Sequence, residues 1–153
     1  MKERRTARRL ALDVLYEAEI RDQLPTETLA SRRPEDWVLT SQGDELKSAD
    51  VPGPSSEVLS YATQVVEGVQ RHQAAIDELI VAYADRWAIQ RMPVVDRTLL
   101  RIALFELLWG DNIPVPVAIN EAVELAKDLS TEDSGRFING ILGRVAEAER
   151  GAG

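Results

Sequence analysis

Apolar residues recur with the period of an α-helix along most of the chain. Between Arg4 and Arg21 they fall three or four positions apart, which places them on one helix face: Ala7, Leu10, Ala11, Val14, Leu15 and Ala18. The run Pro25-Thr26-Glu27 is typical of the start of a second, short helix. From Glu57 two successive helical stripes follow, formed by Leu59, Ala62, Val66 and Val69 and then by Ile76, Leu79, Ile80, Tyr83, Ala84 and Trp87. No segment alternates as a strand should, so the pattern predicts an all-α protein.

One segment, from Val94 to Trp109, is apolar on nearly every side. A helix without a polar face is covered by other helices, so this segment predicts the centre of a bundle. Pro93 stops the preceding helix, and turn residues from Gly110 to Pro114 end the central one. A further helix begins near Pro116 and is expected to bury Ile119, Ala122, Val123 and Ala126. Together with a last helix near the C-terminus, these segments predict a compact bundle of about seven helices around one apolar helix.

The last predicted helix is capped by Ser130 or Thr131 and has acidic residues in its first turn. Its core face consists of Ile138, Ile141, Leu142 and Val145. Gly140 and Gly143 lie inside this helix, where each costs roughly 1 kcal/mol relative to alanine. We therefore expect another backbone to pack closely against them.

Residues 34–56 differ in kind from the helical segments. Proline and glycine recur among serine and acidic residues, and apolar residues are few. This composition predicts a long flexible loop inside a single domain that covers residues 1–153. A solvated connector is favoured over a lid or a recognition loop.

The charge of the chain is unevenly distributed. The 153 residues carry a net charge of −8, but residues 1–9 hold five basic side chains and one acidic side chain. A basic tip on an acidic body indicates a protein that touches phosphate in one place only. No apolar run approaches the ~18–20 residues of a membrane span, and no secretory signal is recognisable, so a cytoplasmic location is expected.

Motifs for catalysis are missing from the sequence. It has no cysteine, which excludes disulfides, zinc sites built from Cys and His, and Cys-His catalysis, and around its one histidine, His72, we recognise no Ser-His-Asp arrangement. There is no Gly-rich phosphate or dinucleotide loop. Carboxylate pairs such as Glu121 with Glu124 are better explained by solvated helix faces. We expect no catalytic residue, no metal site and no cofactor, and a protein that works by binding.

Two features are candidates for that binding. On the first helix, Arg5, Arg9, Leu12 and Tyr16 are spaced so that they line a second face beside the core stripe. Arginine forks bind phosphate and stack on bases, and single-stranded RNA is recognised by such groups together with aromatic rings. Phe137 on the last helix is either core or a half-exposed stacking platform. The pattern alone leaves open an ordinary charged helix end with a tyrosine at the edge of the core.

Several linked segments resemble the NusB family (N-utilisation substance B). Residues 95–107, VDRTLLRIALFEL, are similar to the central helix of that family. Residues 113–127, IPVPVAINEAVELAK, are similar to its most recognisable segment, and Glu132-Asp133-Ser134 followed by residues 137–142, FINGIL, completes the match. The N-terminal residues 4–8, RRTAR, and Leu15-Tyr16 also fit. The likeness covers the chain from Arg4 to Val145, apart from the loop.

The resemblance implies an all-α fold and a role in transcription antitermination of ribosomal RNA operons. It implies that the protein binds boxA RNA together with NusE, a ribosomal protein of the small subunit, and joins RNA polymerase with NusA and NusG. By position, the residues expected to bind RNA are Arg4, Arg5, Arg8, Asp133 and Phe137, and the helix face described above adds Arg9. Tyr16 and Asp96 are expected to meet NusE or the RNA beside it.

The chain differs from the usual family pattern at two places, and the position of Trp109 and the function each have an alternative. Thr6 stands where many members have a third consecutive arginine, and the loop at 34–56 is longer than usual. Trp109 is expected in the core or on a self-association surface, since some members form homodimers. The alternative function is a detached NusB-like helical domain that serves as a protein-interaction module or as an accessory of an RNA methyltransferase.

Overall fold

The computed structural model describes residues 2–32, 55–84, 89–110 and 113–150. Within these ranges there is no strand, and the elements are α1 (Lys2–Arg21), α2 (Pro25–Ser31), α3 (Ser56–Tyr83), a 3-10 helix (Ile89–Arg91), α4 (Val94–Trp109), α5 (Val115–Leu129) and α6 (Glu132–Arg150). The all-α prediction is confirmed. The predicted loop lies outside the described residues as far as residue 54, and Trp87 lies outside them as well.

The described residues form six α-helices, where about seven were predicted. The stripes that follow Glu57 both fall on α3, which runs without interruption from Ser56 to Tyr83, except that the second stripe was expected to continue to Ala84 and Trp87. No proline separates the two stripes, so nothing in the chain stops the helix between them. The helix begins where the backbone N–H of Val58 donates to Oγ of Ser55 at 3.2 Å, which is an N-cap contact.

Contacts divide the chain into two units, Met1–Val66 and Glu67–Gly153, and the boundary falls within α3. The first unit holds α1, α2 and the beginning of α3, and the second holds the remaining described elements. The single domain inferred from the sequence stays a prediction. No helix in the described part of the chain has the length and apolar character needed to cross a bilayer.

In the first unit, α1 buries the face that the sequence predicted. All six apolar residues of that face are buried: Ala7, Leu10, Ala11, Val14, Leu15 and Ala18. The helix ends where Asp22 adopts a left-handed conformation, with φ of 55°, and Gln23 N–H donates to the carbonyl of Ala18 at 2.8 Å. Aspartate tolerates this conformation better than most residues, so the local sequence supports the stop.

In the second unit, α4 is the most thoroughly buried helix, as its composition predicts, and it packs against α5 and α6. It also packs against α3, where Arg101 donates to both carboxylate oxygens of Asp77 at 2.9 and 3.1 Å. The ring of Phe105 on α4 lies directly on Gly68 of α3, so that a Cβ at Gly68 would lie 2.7 Å from Cδ1 of the ring. The missing side chain of Gly68 is what lets the ring pack there.

Trp109, which the sequence placed either in the core or on a self-association surface, lies at the end of α4. Trp109 stacks on His72 with ring centroids 4.0 Å apart and planes 8° from parallel, and it keeps an exposed side. It is therefore packed against its own chain on one face. A homodimer built on this surface stays a prediction.

The last helix, α6, begins after Thr131, whose Oγ1 accepts from the backbone N–H of Ser134 at 3.0 Å. This identifies Thr131 as the cap. The predicted core face is fully buried, but the expectation for Gly140 and Gly143 was wrong: a Cβ at either would meet no described atom within 4 Å. The helical period of the sequence places these glycines in the helix, but it does not determine whether another element packs over them.

Candidate nucleic-acid interface

The four arginines predicted to bind RNA all lie in the first three turns of α1, and they differ in exposure. Arg5 is exposed, Arg4 and Arg9 are partly exposed, and Arg8 is buried with 3% of its surface accessible. Arg4 and Arg8 are one turn apart and share a face, whereas Arg5 and Arg9 share the neighbouring face. Arg5 is therefore the best placed of the four to reach a phosphate directly.

An aromatic ring that the sequence reasoning missed lies under two of these arginines. The Cζ atoms of Arg4 and Arg8 are 4.6 Å and 5.9 Å from the ring centroid of Tyr61 on α3. Both distances fall within the range of about 6 Å over which a guanidinium is attracted to a ring face. Tyr61 lies beside the apolar stripe of α3, and only the packing of α3 on α1 reveals its role.

A partly buried carboxylate lies one turn after Arg9. Burial raises the pKa of Asp13 above 3.8, and the positive charges of Arg9 and Arg32 offset only part of that effect. Arg32 also pairs with Glu17 at 2.7 Å, and Glu17 pairs with Arg21 at 3.2 Å. The carboxylates of α1 thus neutralise part of the positive charge of this unit behind the N-terminal arginines.

The predicted partner residue Tyr16 is one of three exposed apolar side chains at and just beyond the end of α1. Tyr16 and Ile20 are one turn apart on the helix and are 41% and 60% exposed, and Leu24, three residues after the helix ends, is 53% exposed. Leu12, which the sequence placed on the same face, is buried instead. Most large apolar side chains of the described residues are buried, so three exposed ones in succession indicate an interaction surface.

The remaining predicted RNA residues lie at the start of α6. Asp133 is exposed and forms an ion pair with Arg136, and Phe137 is half-buried one turn further along. Both residues belong to the first turns of a helix whose N-terminal N–H groups favour negative charge. Their role in binding RNA stays a prediction.

The other predicted partner residue, Asp96, is inside the second unit. It is 0% exposed, and its Oδ2 accepts a hydrogen bond from Oγ of Ser134 at 2.7 Å. The hydroxyls of Ser130 and Thr131 each lie 3.0 Å from the same Oγ, so both contact the hydroxyl that donates to Asp96 and not the carboxylate itself. Oδ1 of Asp96 has no hydrogen-bond partner in the described structure. Direct contact of Asp96 with a partner protein stays a prediction. Because Asp96 is buried and accepts the hydrogen bond from Ser134, it has a structural role inside the protein.

No group of three or more His, Cys, Asp or Glu residues that could hold a metal ion occurs in the described ranges. The groups in these ranges that suit binding include guanidinium groups, aromatic rings and exposed apolar side chains. Such groups recognise phosphate, nucleobases and protein surfaces.

The model of the NusB family matches residues 5–147, which is most of the chain. The chain belongs to the NusB family. The transcription antitermination protein NusB of Salinispora arenicola is 50% identical over 147 residues, which cover 96% of this chain and 97% of the relative. The chain is thus a NusB-type transcription antitermination protein, and the comparisons support this function over an accessory module.

Solved structures of the NusB family have the same fold. T. maritima NusB has a TM-score of 0.77 and 33% identity, with 94% of this chain and 90% of that chain covered. A crystal structure of NusB and NusE in complex with double-stranded RNA has a TM-score of 0.75 and 26% identity, with coverage of 97% and 98%. The proteins of the second structure are named as antitermination factors, and that structure was solved with a protein partner and RNA.

Proposed function

We propose that this NusB-family chain binds boxA RNA of ribosomal RNA operons together with NusE and then joins the elongating RNA polymerase with NusA and NusG in the cytoplasm. The NusB relative that was solved with NusE and RNA supports this choice of partners. The side chains of the present chain supply the remaining support.

The observation that carries the RNA half of the proposal is that Arg5 is an exposed residue in a local concentration of positive charge. Residues 1–9 have a net charge of +4, whereas the rest of the chain has a net charge of −12. Positive charge attracts the RNA backbone to α1, and the acidic remainder repels it elsewhere. Phe137 and Asp133 are proposed to add base contacts, because an aromatic ring stacks on bases and a carboxylate accepts hydrogen bonds from them.

The protein half of the proposal rests on the exposed apolar side chains at and just beyond the end of α1. Tyr16, Ile20 and Leu24 would be covered by NusE, which would remove exposed apolar surface from water. The buried Asp96 is proposed to contribute indirectly, because it holds Ser134 next to Asp133 at the start of α6.

The proposal is tested by titrating boxA RNA and a scrambled RNA with the protein, in the presence and absence of NusE. We expect NusE to increase the preference for boxA. For Arg5→Ala we expect roughly fivefold weaker binding, since one charge-assisted contact contributes about 1 kcal/mol or more. The slope of log affinity against log salt should become shallower by about 0.7, the value for one phosphate contact on a single strand.

Arg71→Ala is the matched control, because Arg71 is an exposed arginine on α3 and its loss changes the net charge equally. Its affinity and salt slope should remain close to those of the unmodified protein. Equal losses for Arg5→Ala and Arg71→Ala would mean that only net charge matters. Equal affinity for boxA and scrambled RNA, with and without NusE, would contradict the proposed function.

A further inference from the structure

We propose that Tyr61 is a positioning residue for RNA binding, which holds the guanidinium groups of Arg4 and Arg8 on its ring while Arg8 itself touches no RNA. This inference rests on the proposed function, because it concerns how the arginines of α1 are arranged for RNA. It assigns different tasks to residues that the sequence treats alike.

The ring of Tyr61 is held firmly by its own surroundings. It packs against an apolar cluster in the first unit, formed by Ala7, Leu10, Val58 and Ala62. Two of these residues come from α1 and two from α3, so the ring lies where the two helices meet. A ring packed in this way has little rotational freedom left, and it offers a fixed face to a cation.

Arg4 and Arg8 approach that face from the same side of α1. They are four residues apart, which is one helical turn, and their Cζ atoms lie 4.6 Å and 5.9 Å from the ring centroid. An arginine side chain that is already ordered loses less conformational entropy when it binds a ligand. The ring therefore prepares Arg4, which remains partly exposed, for contact with RNA.

Arg8 has a different position, because only 3% of its surface is accessible. A guanidinium with so little accessible surface cannot bind a phosphate without leaving its place. Besides lying near the ring of Tyr61, Arg8 has a further interaction within the protein. We therefore assign Arg8 to the support of the Arg4–Tyr61 arrangement, and direct contact to Arg4 and Arg5.

The test compares two substitutions at Tyr61 by boxA RNA titration with NusE present. Tyr61→Phe keeps an aromatic face, and its affinity should stay close to that of the unmodified protein. Tyr61→Leu keeps apolar bulk but loses the face, and its affinity should fall roughly two- to fivefold, which corresponds to a cation–π energy of about 0.5–1 kcal/mol. Circular dichroism verifies the fold of each variant, and Tyr61→Met replaces Tyr61→Leu if that variant does not fold.

Double substitutions separate positioning from general loss of structure. In an Arg4→Ala background, Tyr61→Leu should have little further effect, because the cation that it positions is gone. In an Arg5→Ala background, which is the matched control, Tyr61→Leu should keep its full effect. A loss of the same size in both backgrounds would overturn the proposal, since a structural defect would act in both alike.

The salt dependence provides the readout for Arg8. Arg8→Ala should weaken binding while leaving the salt slope unchanged, whereas Arg5→Ala should make the slope shallower by about 0.7. A slope change of that size for Arg8→Ala would overturn the assignment of Arg8. If neither Arg4→Ala nor Arg5→Ala affects RNA binding, the proposed function itself fails, whereas effects of both without an effect of Tyr61→Leu refute only the role of Tyr61.

Discussion

The proposed RNA-binding residues of α1 and those of α6 are supported by different kinds of interaction. On α1, the guanidinium groups of Arg4 and Arg8 lie over the ring of Tyr61. At the start of α6, the residue that follows Asp133 donates from its hydroxyl to the buried carboxylate of Asp96 at 2.7 Å. The first arrangement relies on the broad face of a ring, and the second on one short hydrogen bond between buried groups.

The difference has consequences for what substitutions do. A cation is attracted to a ring wherever it lies over the ring face within about 6 Å of the centroid, so the α1 arrangement tolerates small movements. A buried carboxylate that loses its hydrogen-bond donor bears the full cost of its desolvation. We therefore expect changes beside α1 to alter RNA affinity more than stability, and changes at the start of α6 to alter stability first.

The largest effect is expected for Ser134→Ala, which tests the α6 half of this comparison. The substitution removes the hydroxyl that donates to Asp96 and leaves a buried carboxylate without that donor. The free energy of unfolding should fall by about 1–3 kcal/mol, the range for a buried polar group left unsatisfied. Urea denaturation measures this change.

Ser130→Ala is the control for that prediction, because the hydroxyl of Ser130 contacts Oγ of Ser134 and not the carboxylate. Its loss should cost clearly less than the loss of Ser134. If the two variants are equally destabilised, the hydrogen bond to Asp96 has no special importance.

A smaller effect of the opposite sign is expected for Gly143→Ala, further along the same helix. A Cβ at this position would meet no described atom within 4 Å, and alanine in a helix interior is favoured over glycine by roughly 1 kcal/mol. Thermal or urea unfolding should show a gain of that order. A loss instead would mean that α6 tolerates little change anywhere, and that the sensitivity at Ser134 is not specific to the buried carboxylate.

The smallest effect is expected for Asp13→Asn, which tests the α1 half of the comparison. Burial raises the pKa of Asp13 in the folded state above its ordinary value of 3.8, and the nearby Arg9 and Arg32 offset this only in part. At a pH between the pKa of Asp13 in the unfolded state and its higher pKa in the folded state, the folded state binds more protons than the unfolded state. The free energy of unfolding therefore rises as pH falls through this range. At neutral pH, where Asp13 is ionised in both states, this contribution to stability is absent.

The Asp13→Asn variant should accordingly be slightly more stable than the unmodified protein at neutral pH. The difference should shrink as pH falls through the folded pKa and vanish below the unfolded value. Urea denaturation across this range measures the trend. A variant that is less stable at neutral pH would show that the pairing of Asp13 with Arg9 and Arg32 outweighs its desolvation.

Much of the fold could be predicted from local pattern because each helix carries its own signals. The apolar face of α1, the continuous apolar surface of α4 and the capping residue of α6 were all recognisable in the sequence. The candidate binding residues were predicted less completely. Tyr61 was missed because its neighbours in space, Arg4 and Arg8, are far from it along the chain.

What the sequence determined by itself was the helical class, the apolar central helix and the concentration of arginine at the start of α1. These features depend on residue type and on spacing within one helix, where near neighbours interact. Only the tertiary structure decided that Arg8 and Asp96 are buried, that Tyr61 lies under two guanidinium groups, and that Gly143 is open while Gly68 is covered. Burial and pairing of this kind depend on which helices meet, and residues distant in sequence meet only when the chain folds.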